Sequence, residues 1–196
     1  MTIARFKSTN HPQQVKKRGS VESIDMRATH HSVFAPLNDR FAFTLDVAAS
    51  AHNAKCERFI TKELDGLCTT WSGERVWCNP PYSWIRAWVE KAWDEWRSAA
   101  PPLLIAMLLP ANRTEQGWWQ DLVEPFRDRA DATLRTEFIR DRIRFVREGA
   151  TTILPNERPP FGCVLLIWST ESVARSRCAA IAVQERFWPH GHGEEL

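Results

Sequence analysis

From residue 34 onward, short apolar runs alternate with amphipathic stretches, the pattern of a mainly parallel β-sheet with helices on its faces. The runs that read as strands are Phe41 to Val47, a short Arg58 to Thr61, Arg75 to Cys78, Leu103 to Leu109, Glu137 to Ile139 with an extension toward Phe145, and Cys163 to Trp168. Between the third and fourth of these, Trp84, Ile85, Trp88, Val89, Ala92, Trp93 and Trp96 recur at helical spacing, which predicts one wide apolar stripe packed on the sheet. Arg86, Glu90, Lys91, Asp94 and Glu95 fall on the opposite face, and Pro101-Pro102 forbids continuation of the helix. Asn112 followed by Glu115 predicts an Asn-capped helix that buries Trp118, Trp119 and Leu122 before Pro125. Ser172 to Phe187 is weakly periodic and reads as a further helix, with a frayed tail after Pro189. The fold class expected is α/β.

Length changes this picture little: 196 residues, 43% of them hydrophobic, suit one domain with short appendages. Such a chain buries roughly 70% of the surface its unfolded form exposes, so no disulfide or metal is needed to hold it. The longest apolar run, Leu103 to Leu109, falls far short of a membrane span, and the first residues carry no apolar core of a secretion signal. Five cysteines form an odd set without a Cys-x-x-Cys pair, and the histidines are scattered, so neither a disulfide framework nor a metal site is expected.

Net charge is only +2, but its distribution is uneven. Residues 1 to 20 carry Arg5, Lys7, Lys16, Lys17 and Arg18 with no acid. That composition reads either as a solubilising tail or as an arm that contacts phosphates. A second basic stretch, between Arg135 and Arg147, holds five arginines, of which Arg140, Arg142 and Arg144 alternate as on a strand or hairpin. Arginine suits phosphate contact and bidentate reading of guanine, and equally a salt-bridged surface strand.

The most specific string is Arg75-Val76-Trp77-Cys78-Asn79-Pro80-Pro81-Tyr82-Ser83, an apolar strand that stops at Asn-Pro-Pro-Tyr. Pro-Pro alone carries little information, since two more occur at 101 and 159. The surrounding residues add the meaning. Two prolines lock the backbone and remove its donors, so the Asn79 amide oxygen and the Pro80 carbonyl can point outward as a pair of acceptors. An exocyclic amine has two N–H bonds in the plane of its ring; two fixed acceptors grip it and draw its lone pair out of conjugation. Tyr82 then offers a face for a base taken out of its stack, or else sits in the core behind a rigid turn. In open α/β sheets ligands bind beyond the carboxyl ends of strands, where this tetrapeptide falls.

With these residues in view, the sequence resembles the phage-type DNA adenine-N6 methyltransferases of the Dam class. The resemblance runs through Leu45-Asp46-Val47-Ala48-Ala49, Asn53-Ala54-Lys55-Cys56, Phe59-Ile60-Thr61, Asp65-Gly66-Leu67, Trp71 and Val76 to Ser83. It continues in Ile85, Trp88-Val89 and Lys91-Ala92, and more loosely in Leu108 to Ala111, Arg142 to Phe145 and Pro160 to Gly162. It implies a Rossmann-like methyltransferase sheet and transfer of a methyl group from S-adenosylmethionine to the amino group of adenine in double-stranded DNA. Asn79, Pro80, Pro81 and Tyr82 then form the catalytic loop. Asp46, taken as an exposed strand-end carboxylate, and the small Ala48 and Ala49 stand where this fold places its cofactor loop, although no Gly-x-Gly is present. Asp65 follows the second strand, where an acid accepts ribose hydroxyls or simply forms an Asp-Gly turn; Asn53 serves as a cofactor contact or a cap.

The implied division is a basic arm over 1–30, a methyltransferase domain over 31–170 and a C-terminal helix and tail over 171–196. The implied location is the cytoplasm of a bacterial or phage-infected host. Displacement at a sulfonium methyl needs alignment rather than a metal or a dedicated general base, and none is assigned. Asn-Pro-Pro-Tyr also serves methylation of RNA bases and of protein glutamine, so another amine is the alternative substrate. A binding module of the same fold without catalysis is the alternative of a different class.

Overall fold

Strand β5 (Leu104–Pro110) shows how the sheet is covered: all seven residues are buried, with Ile105, Met107 and Leu109 on one face and Leu104, Ala106 and Leu108 on the other. A strand without a polar face needs apolar layers on both sides. The computed structural model describes residues 28–129, 133–143, 145–146 and 161–170. The basic arm over 1–20, the C-terminal segment 171–196 and Arg144 lie outside them.

The main sheet has six strands in the order β3 (Arg58–Phe59), β2 (Leu45–Asp46), β4 (Arg75–Cys78), β5, β8 (Cys163–Ser169), β6 (Leu134–Phe138). The pairings among β3, β2, β4 and β5 are parallel, and β8 runs antiparallel to both β5 and β6. One reversed strand therefore sits within an otherwise parallel α/β sheet, consistent with the methyltransferase sheet that the resemblance implies. A separate small ribbon pairs β1 (Ala28–Thr29) with β7 (Phe145–Val146), antiparallel.

One face is covered by α2 (Ile85–Trp96) and α3 (Gly117–Leu122), through Ile85, Trp88, Val89, Trp93, Trp118 and Trp119. Buried Glu95 ties α2 to the segment before β4: its carboxylate accepts from the Trp71 backbone N–H at 2.8 Å and from Lys91 at 2.6 Å. The other face is covered by α1 (His31–Phe41), whose Phe34, Leu37 and Phe41 are buried. Arg40 clamps this helix to β6 through two bonds of 2.6 Å to the Glu137 carboxylate.

Strands β4, β5 and β8 fall within one residue of the bounds read from the pattern. Four expectations change. Phe41 belongs to α1, not to a strand: the helix ends there because Ala42 adopts a left-handed φ of 50° and returns its N–H to Asn38, leaving only Leu45–Asp46 paired in β2. Strand β6 begins at Leu134 and ends at Phe138 rather than running from Glu137 to Ile139. Asn112 does not cap the next helix; α3 starts five residues later, after Gln116. Trp84 is not part of the core stripe, because the chain makes a 3-10 turn over Tyr82–Trp84 before α2 starts, which rotates Trp84 outward to 67% exposure. Among the described residues, no helix is long and apolar enough to cross a membrane.

Candidate functional site

The chain leaves β2 toward β3 on one side of it and returns to β4 on the other. That reversal opens a crevice at the carboxyl ends of β2 and β4, the place where open α/β sheets bind ligands. Asp46 pairs with Trp77, and the Val47 N–H donates to the Trp77 carbonyl at 3.1 Å, so the end of β2 lies beside the segment entering Asn79.

Strand β4 is buried through Val76, Trp77 and Cys78 and stops where Pro80 can no longer donate. Pro80 is buried, and the Pro81 carbonyl accepts from the Trp84 N–H at 3.1 Å, which starts the 3-10 turn. Asn79 and Tyr82 are half-buried. The Tyr82 hydroxyl stands 3.4 Å from Asn79 Oδ1, a long bond that orients more than it binds. Phe145 and Phe161 meet the Tyr82 ring edge-on, with centroids 6.2 and 6.0 Å away, and an Arg113 guanidinium N–H donates to the Tyr82 carbonyl at 3.4 Å. The two readings of Tyr82 thus combine: part of the ring packs in the core, and part remains open.

Asp46 is not the exposed carboxylate expected from the sequence, being only 3% exposed. It folds over its own loop, accepting from the Ala48 N–H at 3.3 Å and the Lys55 N–H at 3.0 Å. Burial pushes its carboxyl from an ordinary 3.8 up to about 6, against the opposing effect of those two N–H groups and of the Lys55 charge. Where a glycine-rich loop is absent, this carboxylate gathers residues 47–55. Ala48 and Ala49 supply small side chains there, and the Ala49 N–H is fixed by the Ile60 carbonyl at 3.1 Å. Asn53 closes a turn, its Oδ1 accepting from the Ser50 N–H at 2.7 Å, so its side chain shapes the loop. Ser50 Oγ, a residue the sequence did not single out, is buried and has no hydrogen-bond partner among the described residues.

Asp65 adopts a left-handed φ of 53°, and its carboxylate accepts from the Leu67 N–H at 3.0 Å, as an Asp-Gly turn requires. Gly66 is needed for another reason: a Cβ there would stand 2.2 Å from the Val47 carbonyl oxygen and 2.7 Å from the Trp88 ring. The turn after β3 is thereby pressed onto the end of β2, and Trp71 Nε1 locks it by donating to the Gly66 carbonyl at 3.0 Å. Asp46, Ala48, Ala49, Asn53 and Asp65 consequently stand in two adjoining loops at one sheet edge. A groove of 340 Å³ flanks β3 and is lined by Leu45, Phe59, Ile60, Thr69 and Thr70, but it includes neither Asp46 nor Asn79.

Arg140 and Arg142 are both exposed, on a bend after β6 rather than on an alternating strand. Arg140 comes no nearer than 3.9 Å to its neighbour Asp141. Strands β4, β5 and β6 point the same way, so Arg113, which follows β5, and Arg140 and Arg142, which follow β6, all emerge at the sheet edge that carries Asn79. The contacts of Arg113, Phe145 and Phe161 with Tyr82 carry no sequence signal, because they are purely spatial. The thiols near the crevice stay protonated: burial pushes Cys56 up to about 12 and Cys78 well above its usual range.

This crevice fits a ligand such as S-adenosylmethionine on two structural grounds. A loop of small residues is organised by a buried carboxylate, and within it the Ser50 hydroxyl is buried without a partner among the described residues.

Residues 16–186 match the model of a family described as DNA N-6-adenine-methyltransferase (Dam). A DNA N-6-adenine-methyltransferase of Escherichia phage T1 is 36% identical over 112 residues, which cover 56% of this chain and 42% of the phage protein. One of Haemophilus phage HP1 (strain HP1c1) is 43% identical over 61 residues, covering 30% and 35%. The matched stretches thus span less than half the length of these curated relatives.

Proposed function

Because the chain belongs to the DNA N-6-adenine-methyltransferase (Dam) family, we propose that it transfers a methyl group from S-adenosylmethionine to the exocyclic amino group of adenine in double-stranded DNA. The observation that carries this reading is the meeting of the Asn79–Tyr82 loop and the Asp46 loop at one switch point of the sheet. One loop has the features of an amine-gripping pair of acceptors, the other those of a cofactor cradle.

The bound cofactor would supply an electrophilic methyl group on a positively charged sulfur. Ser50, Ala48 and Ala49 would line its place, with Asp46 and Asn53 shaping that loop and Asp65 standing near the ribose. Asn79 Oδ1 and the Pro80 carbonyl accept the two N–H bonds of the adenine amine, which draws the nitrogen lone pair out of conjugation with the ring and leaves it nucleophilic. Alignment of that lone pair supplies most of the acceleration, since the displacement needs no covalent enzyme intermediate. The protonated thiols of Cys56 and Cys78 agree with this, as neither is a nucleophile at neutral pH. Tyr82, braced by Phe145 and Phe161, supports the extruded base on its open face. The carboxylate of Asp46 is committed to its own loop and does not act as a base; the proton released after transfer passes to water. Arg140 and Arg142 contact DNA phosphates, and Arg144, outside the described residues, extends that stretch in sequence. The enzyme works in the cytoplasm, where its DNA substrate lies.

The test is a methyl-transfer assay with labelled cofactor on duplex DNA, RNA and protein in parallel. Label in DNA alone is expected. Label in RNA or protein alone would move the substrate to the alternative amine, and no label with measurable DNA binding would leave a binding module.

A further inference from the structure

The sequence buries its indoles. Of the nine tryptophans in the described residues, seven are buried and Trp96 is half-buried, whereas Trp84 is 67% exposed. Among the exposed large hydrophobic residues described, Trp84 is also the nearest in sequence to the catalytic loop, two positions after Tyr82 and in the same 3-10 turn. The turn is fixed rather than loose: the Trp84 N–H is held by Pro81, and the Tyr82 carbonyl is held by Arg113.

In a 3-10 turn, residues two apart are displaced about 4 Å along the axis and point in different directions. When Tyr82 supports an extruded adenine, the exposed Trp84 of the same turn points away from that adenine and is open to the duplex the base has left. The gap has apolar walls, the faces of the neighbouring bases, and proteins that open base steps fill them with apolar side chains. Around it run phosphates, and the cations that emerge at this sheet edge, Arg113, Arg140 and Arg142, match them in charge.

We propose that Trp84 enters the gap left in the duplex by the extruded adenine and stacks on the bases that border it, holding the DNA open while Tyr82 holds the base. This rests on the DNA-methylating reading above. Trp84 is on this account a positioning residue, since it touches neither the methyl group nor the amine.

The test uses two labelled duplexes of one sequence, the site that the wild type methylates, with either the target adenine or an abasic analogue at the central position. Dissociation constants are measured for the wild type, Trp84→Ala, Trp84→Phe and Tyr82→Ala. Trp84→Ala should bind both duplexes about five- to two-hundred-fold more weakly, the range for losing one base–aromatic stack. Trp84→Phe should recover most of the affinity. Tyr82→Ala should weaken only the adenine duplex, because the abasic one has no base to support. The melting temperature and cofactor affinity of Trp84→Ala should match the wild type. Unchanged binding of both duplexes by Trp84→Ala, or a loss confined to the adenine duplex, overturns the proposal while leaving the methyltransferase reading intact. A wild type that binds neither duplex overturns both.

Discussion

If residues 46–55 hold the cofactor as proposed, the carboxylate of Asp46 couples that loop to pH, with opposite signs for stability and for binding. Its pKa rises from 3.8 to about 6 in the folded chain. At about 1.4 kcal/mol per pH unit, keeping it ionised costs the native state ~3 kcal/mol at neutral pH. The folded pKa lies above the unfolded one, so this group's stabilising contribution is complete below about pH 3.8 and is lost as pH rises through about 6. Integrating between pH 7.5 and pH 5 gives a gain of about 1.4 kcal/mol on acidification from this residue alone. Over the same interval protonation weakens the carboxyl's hold on the Ala48 and Lys55 N–H groups, and the loop loses part of its organisation. Cofactor affinity should therefore fall as stability rises. Urea unfolding of the wild type and Asp46→Asn across that range, with calorimetric titration of cofactor, measures both. The other carboxylates are common to the two proteins, so the difference between their pH–stability curves isolates Asp46. Parallel curves, with cofactor affinity equally independent of pH in both, would refute the reasoning.

Two further perturbations test the geometry around the crevice. Gly66→Ala places a methyl 2.2 Å from the Val47 carbonyl oxygen; it should cost about 3 kcal/mol, at the upper end of overpacking penalties, lower the melting temperature by about 6–12 °C and weaken cofactor binding. A variant that melts with the wild type would mean that the turn after β3 is not pressed against β2. Arg142→Ala should lower DNA affinity alike on all sequences and reduce the salt dependence by about one unit of slope; an unchanged slope would remove Arg142 from the phosphate contacts.

The features legible in the sequence are those that rest on local pattern. Strands β4, β5 and β8 are continuous apolar runs, and the proline pair ends β4 wherever the rest of the chain lies. Other features depend on contacts far apart in sequence. Helix α1 contains Pro36 and has no acid in its first turn, so its local signals are weak; burial of Phe34, Leu37 and Phe41 against the sheet overrides them. Strand β6 lacks a clean alternation because it is an edge strand, half-buried over most of its length. Trp84 fits the helical stripe by spacing and leaves it because the preceding turn is 3-10. The burial of Asp46 was invisible for a similar reason: its partners, the Ala48 and Lys55 N–H groups, are backbone donors that carry no sequence signal.

The central claim is that Asn79 and Pro80 hold an adenine amine of DNA for methylation. The most direct measurement is mass spectrometry of nucleosides from DNA of cells, lacking other adenine methylation, that express either the wild type or Asn79→Ala. The wild type should yield N6-methyladenine without methylated cytosine. Loss of one preorganised acceptor should cut turnover about 100- to 1,000-fold, so the variant should yield almost none while purified variant protein binds duplex DNA within about threefold of the wild type, phosphate contacts being retained. Wild-type levels of N6-methyladenine from the variant, or none from the wild type, would contradict the account.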